Sequence, residues 1–357
     1  MDPPTQLPVH RSLSNPAAEN SESSPVPPSP IPDEHIMLTN EEATLCKLDA
    51  IKMGYWKDPY LPQFVHGSFR HERKAPDMYK GYYARVKCVE RLVLDFVHAV
   101  IKDNKAEIPV VQIVNLGAGY DTLYWRLKSN EKLCNQVRIK VVDLDLLPVT
   151  IKKYHAIKTH KQLSSLLTGE WKEGELPQGE LHTGDYDLIS ADIRDTLNIE
   201  RKLMAACKLD PKRPTLFIAE CVLIYMNTGS TKQLLTWIAE TFETACFINY
   251  EQVNMSDNFG QIMYNSLKEQ GCVLADADSC KSLKFHEERF VKTGWTKASA
   301  ADMNAMCSSL PRAEIERIDR IAMIDEPDVL QQLFNHYCIA WAYKGAVGTE
   351  LEKVRLL

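Results

Sequence analysis

Short apolar runs that alternate with helical stretches predict a doubly wound α/β fold with a mostly parallel sheet. From about residue 110, five such runs appear in succession, each followed by a helical stretch or a turn. They lack a clean two-residue alternation, as expected of parallel strands buried on both faces. The first run ends in Gly117-Ala118-Gly119 and opens a helix, at the carboxyl end of a strand, where open α/β sheets bind ligands. The chain has 357 residues, 45% of them hydrophobic, which is enough for one large domain with a sizeable core.

The elements follow in order. Residues 1–35 form a Pro/Ser-rich tail, expected to be disordered because it has too little apolar surface to offset chain entropy. Pro25–Pro32 also suits a Pro-rich ligand for another domain. Residues 36–357 are expected to form a single domain. Its first helix is expected to start near Thr39-Asn40-Glu41-Glu42, a capping residue followed by acids. An aromatic loop follows, Gly54-Tyr55-Trp56-Lys57-Asp58-Pro59-Tyr60, whose Tyr55, Trp56 and Tyr60 either line an acceptor pocket or pack as core. Val86, Val89, Val93, Phe96, Val97 and Val100 recur at helical spacing and predict a helix over 77–103.

The expected strands are Val110–Leu116, Val137–Asp145, Tyr186–Ala191, Thr215–Glu220 and Ala245–Glu251. Helices are expected around Leu123–Leu127, Leu147–His155 and Ser230–Phe242. Lys161–Glu180 is polar and holds three glycines, which predicts a surface insertion. Further helices after residue 256 form a helical insertion before two late strands, Thr296–Ala300 and His336–Lys344, the second an antiparallel closing strand. No internal repeat appears at a solenoid or propeller period.

Composition narrows the function classes. A net charge of -6 lacks the basic field that duplex nucleic-acid binders use, so no nucleic-acid partner is expected. Ten cysteines without a Cys-x-x-Cys pair or zinc-finger spacing predict reduced, buried thiols, no metal, and a cytoplasmic or nuclear location. No run has signal-peptide or transmembrane character, so no membrane association is expected.

The Gly117–Gly119 loop carries the chemistry. Glycines let the backbone turn sharply and approach a ligand closely. A dinucleotide site wants a small residue where Thr122 stands, and the adjacent Asp121 repels phosphate, so the loop suits an uncharged nucleoside. Adenosine linked to methionine fits, which predicts an S-adenosylmethionine-dependent methyltransferase. A ribose diol is held by an acid at the end of strand two, where Asp143 and Asp145 compete and point to the same side of an extended strand. After strand three, Asp192 or Asp195 either takes an adenine amine or caps a helix. Glu220, at the end of strand four, faces the crevice and suits a methionine ammonium. Upstream, Lys47 and Arg85 are cations, and a guanidinium grips a carboxylate through two parallel hydrogen bonds.

An ordered set of further segments resembles a known family. It includes Gly54–Tyr60, Arg73-Lys-Ala-Pro76, Gly81-Tyr-Tyr-Ala-Arg85-Val, Val114–Thr122, Ala219–Met226 and Phe247–Met255. Phe259–Met263, Leu310–Glu314, His336–Cys338 and Trp341 complete it. The chain after residue 40 resembles the leucine carboxyl methyltransferases, which methylate the C-terminal leucine of type 2A protein phosphatase catalytic subunits. The resemblance implies a Rossmann-like class I methyltransferase fold with N-terminal helices, and S-adenosylmethionine as cofactor. It implies that Lys47 and Arg85 hold the methionine carboxylate, that Gly117 and Gly119 form the loop, and that Asp145 is the ribose acid. Asp192-Ile193 matches the family's acid-leucine pair, Glu220 its late-strand acid, and Tyr225 a tyrosine near the acceptor carboxylate. The implied partner is the phosphatase catalytic subunit, engaged through its C-terminal tail and active-site face by a monomeric enzyme. A terminal carboxyl is ionised at neutral pH, so no general base is expected. A small-molecule carboxyl or hydroxyl group and a tRNA base are the alternative acceptors, since fold alone does not fix the acceptor.

Overall fold

The structure, a computed structural model, describes residues 33–65, 74–104, 106–174 and 178–357. The tail expected over residues 1–32 lies outside the described residues. The first helix, α1, spans Asp33–Lys52, so it begins six residues before Thr39, and residues 33–35 are helix rather than tail. Thr39 does not cap it. Its hydroxyl donates to the Ile36 carbonyl at 2.6 Å, a bond made inside the helix.

Helix α2, Pro76–Asp103, opens on a proline, whose missing N–H costs nothing in a first turn. All six residues that predicted it are buried. The long strands are β1 (Val110–Leu116), β2 (Arg138–Asp145), β3 (Tyr186–Ser190), β4 (Thr215–Glu220), β5 (Ala245–Gln252), β6 (Lys297–Asp302) and β7 (Tyr337–Lys344). Their order in the sheet is β3-β2-β1-β4-β5-β7-β6. Strands β1 to β5 run parallel, and β7 is antiparallel to both β5 and β6. The polar insertion is more than surface loop. Lys172–Glu173 and Leu181–His182 pair with each other and extend the sheet beyond β3.

Helices cover both faces: α3 (Leu123–Lys128), α4 (Leu147–Thr159), α5 (Thr196–Arg201), α6 (Thr228–Thr241), α7 (Asn258–Glu269), α8 (Leu283–Val291), α9 (Met303–Ser308), α10 (Arg312–Asp319) and α11 (Pro327–Asn335). Alternate strand residues enter different cores. Val111, Ile113, Leu216 and Ile218 pack with Val89, Val93 and Ile157 from α2 and α4. Val114, Leu116, Phe217 and Ala219 pack with Leu234 and Ile238 from α6. Each buried Val, Leu, Ile or Phe side chain among them contributes roughly 1.5–3 kcal/mol.

The aromatic loop belongs to the first core. Tyr55, Trp56 and Tyr60 are buried there, and Tyr55 lies 6.2 Å from the Tyr83 ring. Its Asp58 takes the N–H groups of Tyr60 and Leu61 at 3.0 and 3.2 Å, and the Thr122 hydroxyl at 2.5 Å. The loop therefore braces the start of α3, directly after Gly119.

Candidate functional site

Strand β1 has β2 on one side and β4 on the other, so the winding reverses beside it. At the carboxyl ends of these strands lies a cavity of about 410 Å³. Lys47, Arg85, Gly117, Gly119, Asp145, Asp192, Ile193, Glu220 and Tyr225 all line it.

Gly117 and Gly119 both have positive φ, +64° and +49°. A Cβ on Gly117 would stand 2.6 Å from Val222 Cγ2, and one on Gly119 would stand 2.2 Å from Asn40 Oδ1. Only glycine fits between α1 and the turn after β4. Asp145 closes the loop from below. Its carboxylate accepts the N–H of Gly119 at 2.6 Å and of Leu146 at 2.7 Å. Burial raises its pKa, while these two amides oppose the rise.

Asp143, the competing acid, does not line the cavity. It is buried in an ion pair with Lys153 at 2.8 Å and accepts the Tyr186 hydroxyl at 2.8 Å. Asp121 faces the cavity, paired with Asn115 Nδ2 at 2.9 Å and Arg126 at 3.4 Å. Burial works against its charge, but Arg126, Lys47 and Lys153 hold its pKa below the usual carboxylate range.

Asp192 sits at the rim beyond β3, gripped by Arg194, whose Nε lies 2.8 and 2.9 Å from its two oxygens. Asp195 instead caps α5, accepting the Asn198 N–H at 3.1 Å.

On the opposite wall, Arg85 from α2 meets Glu220 from β4, with Nε 2.5 Å from Oε2. Its guanidinium also stacks over the Tyr250 ring, 4.7 Å from the centroid. Burial disfavours its charge, but Glu220, Cys221, Tyr250 and Tyr82 beside it together outweigh this and raise its pKa. Lys47, on α1, has no ion-pair partner within reach among the described residues. Burial lowers its pKa, and the nearby Glu220 carboxylate acts against that. An unpaired ammonium beside an Arg–Glu pair offers two cations and one anion, the complement of an amino-acid zwitterion.

Tyr225 follows β4 in a short helical turn, Leu223–Tyr225. Burial raises its pKa, so it is a neutral hydrogen-bonding phenol. Asn40, Tyr82, Tyr250, Gln252 and Tyr337 also line the cavity, and sequence reasoning missed them as site residues. An apolar wall of Met78, Leu267, Met303, Leu333 and Phe334 completes it.

Two clusters of metal-ligand type lie elsewhere, His182–Asp187–Cys207 and Glu251–Cys280–His286. In each the carboxylate already faces a cation: Lys140 lies 2.9 Å from Asp187, and Arg289 pairs with Glu251.

The leucine carboxyl methyltransferase family model matches residues 35–239. Leucine carboxyl methyltransferase 1 of Bos taurus is 43% identical over 327 residues, covering 91% of this chain and 93% of that protein. The chain belongs to the leucine carboxyl methyltransferase family. It is an S-adenosylmethionine-dependent carboxyl methyltransferase with the Rossmann-like fold expected of one. The Rattus norvegicus leucine carboxyl methyltransferase 1 is 42% identical, covering 90% of this chain and 93% of that one. The tRNA wybutosine-synthesizing protein 4 of Homo sapiens is 33% identical, covering 87% of this methyltransferase but 44% of that protein. No helix among the described residues is long and apolar enough to cross a membrane.

The cavity of this methyltransferase fits S-adenosylmethionine on its own residues. Glycine gaps that a Cβ would fill allow close approach, the Asp145 carboxylate lies beside them, and Lys47 offers a buried, unpaired cation.

Proposed function

We propose that this enzyme esterifies the α-carboxylate of the C-terminal leucine of a type 2A protein phosphatase catalytic subunit. The observation that carries this reading is a cavity lined both by charged side chains, among them Lys47, Arg85, Asp145 and Glu220, and by apolar ones, with Tyr225 also lining it. The relatives named leucine carboxyl methyltransferase 1, matched over nearly their full length, support the same acceptor.

In this reading Lys47 and Arg85 hold the methionine carboxylate and Glu220 the ammonium. Asp145 takes the ribose hydroxyls, Asp192 and Ile193 the adenine, and Gly117 and Gly119 give room for the nucleoside. Tyr225 donates to the acceptor carboxylate. Bound there, S-adenosylmethionine supplies a methyl group on a cationic sulfur, whose charge cancels against the carboxylate. The chain's own part is alignment and exclusion of water. Tyr250, Tyr337, Leu333 and Phe334 are the groups that keep water out. An acceptor already ionised at neutral pH requires no base. The ten unpaired cysteines support a reducing compartment, cytoplasm or nucleus.

The test is incubation with labelled S-adenosylmethionine and either intact phosphatase catalytic subunit or subunit lacking its terminal leucine. Label is expected on the intact subunit alone, in an alkali-labile ester. Equal label on both rejects the C-terminal acceptor. Label on tRNA instead would favour the acceptor suggested by the tRNA wybutosine-synthesizing relative.

A further inference from the structure

Asp143 lies two residues before Asp145 on β2, yet it faces no cavity. Its carboxylate meets Lys153, from the second turn of α4, and the pair has almost no exposure: 1% for the lysine side chain and 4% for the aspartate. A lone ion pair so buried contributes little net stability, because desolvation offsets its attraction. Lys153 makes a second contact. Its ammonium donates to the backbone carbonyl of Asp121 at 3.0 Å. Asp121 ends the turn that begins at Ala118, closed by the Asp121 N–H to Ala118 carbonyl bond at 2.9 Å. Its side chain then holds the Thr122 N–H at 2.6 Å and Asn115 at 2.9 Å.

We propose that Lys153 is a positioning residue for the cofactor loop: anchored by Asp143 and Tyr186, its ammonium fixes the Asp121 carbonyl and so the orientation of Gly117–Asp121. The proposal rests on that loop being the S-adenosylmethionine site. Lys153 touches no cavity surface and acts only through Asp121. Asp145 secures the same loop from its Gly119 end. The two acids of β2 thus divide one task, one holding the loop directly and the other through a lysine.

The test uses the full-length protein and double variants in which no buried charge is orphaned. Lys153→Met with Asp143→Asn removes the donor to Asp121. Lys153→Gln with Asp143→Asn removes the same charges but keeps an N–H donor. Melting temperature and S-adenosylmethionine Kd are measured on each, beside wild type. We expect the two double variants to melt within a few degrees of each other. The methionine variant should bind S-adenosylmethionine about tenfold more weakly than the glutamine variant, with acceptor KM alike in both. Equal affinity in the two variants overturns the proposal, and so does failure of both to fold, which would assign the pair to stability alone. Absence of binding by wild type would instead reject the loop as the cofactor site.

Discussion

The two walls of the cavity are built differently. The wall after β1, β2 and β3 is held by backbone. Gly119 and Leu146 N–H groups converge on Asp145, and the Ala118 N–H reaches the Leu144 carbonyl at 3.0 Å. The opposite wall is held by side chains from distant segments. Arg85 meets Glu220 across 135 positions, and behind the lining Arg289 meets Glu251 across 38. Backbone preorganisation needs only a local motif, whereas side-chain walls need the finished fold. In the proposed reading the first wall takes the cofactor's nucleoside, while the second takes its amino-acid end at Arg85 and Glu220 and, around Tyr225, the acceptor.

The largest expected effect tests the Arg85–Glu220 pair, which joins the two walls. A hydrogen bond to a charged group is worth about 1.5–3 kcal/mol, and a guanidinium can offer a carboxylate two. Arg85→Ala should therefore raise the S-adenosylmethionine Kd by about 100-fold or more, measured by calorimetry. A Kd within threefold of wild type removes Arg85 from the cofactor wall.

Next is Gly119→Ala. An L-residue at φ +49° costs roughly 1–2 kcal/mol, and its Cβ would meet Asn40. The Kd should rise about tenfold, and adding Asn40→Ala should recover part of the loss. No recovery would mean that backbone strain alone, not the approach of α1, demands glycine.

Glu251→Gln probes the other wall. Glu251 is fully buried and accepts the Ile224 N–H at 2.6 Å, one residue before Tyr225. Here kcat/KM for the protein acceptor should fall about tenfold, with cofactor Kd within twofold. A parallel fall in cofactor affinity would erase the division between the walls.

The smallest effect concerns His286, packed against the same glutamate. Its Nε2 donates to the Gln252 carbonyl at 2.9 Å, and its Nδ1 lies 3.8 Å from Glu251. Burial, with Arg289 adding to it, pushes the imidazole down to about 3. The folded chain thus binds fewer protons than the unfolded one below the ordinary histidine value of about 6.5. Stability from this group is whole above that value and is lost as the pH falls toward the folded pKa. His286→Asn should reduce the drop in Tm between pH 7 and pH 5 by a few degrees. An unchanged drop would place the acid sensitivity elsewhere.

The contrast also explains what was legible in the sequence. Strands β1 and β4 match their expected bounds, because apolar runs end where glycine or an acid interrupts them. The strands Lys172–Glu173 and Leu181–His182 are two residues each, too short for any periodicity to register. The start of α1 was misplaced because Thr39 has a capping residue's chemistry, but its hydroxyl turns inward. In the site, Gly117, Gly119 and Asp145 announce themselves by position along the chain. Tyr250, Gln252 and Tyr337 do not: each is an ordinary residue at a strand end, and pairing of β5 with β7 sets Gln252 opposite Tyr337. Asp143 and Asp145 were equivalent by strand geometry alone, and Lys153, on a different element, separates them.

Helix α1 has a consequence in time. It supplies Lys47 and Asn40 from the first described element, while Tyr337 comes from the last strand. At synthesis rates of about 5–20 residues per second, Lys47 leaves the ribosome on the order of 15 to 60 s before Tyr337. Throughout that interval α1 has no finished cavity to close. A chain interrupted before β7 carries the whole glycine loop and both strand-two acids but lacks Tyr337. A closed lining around the cavity is thereby a property of the completed polypeptide.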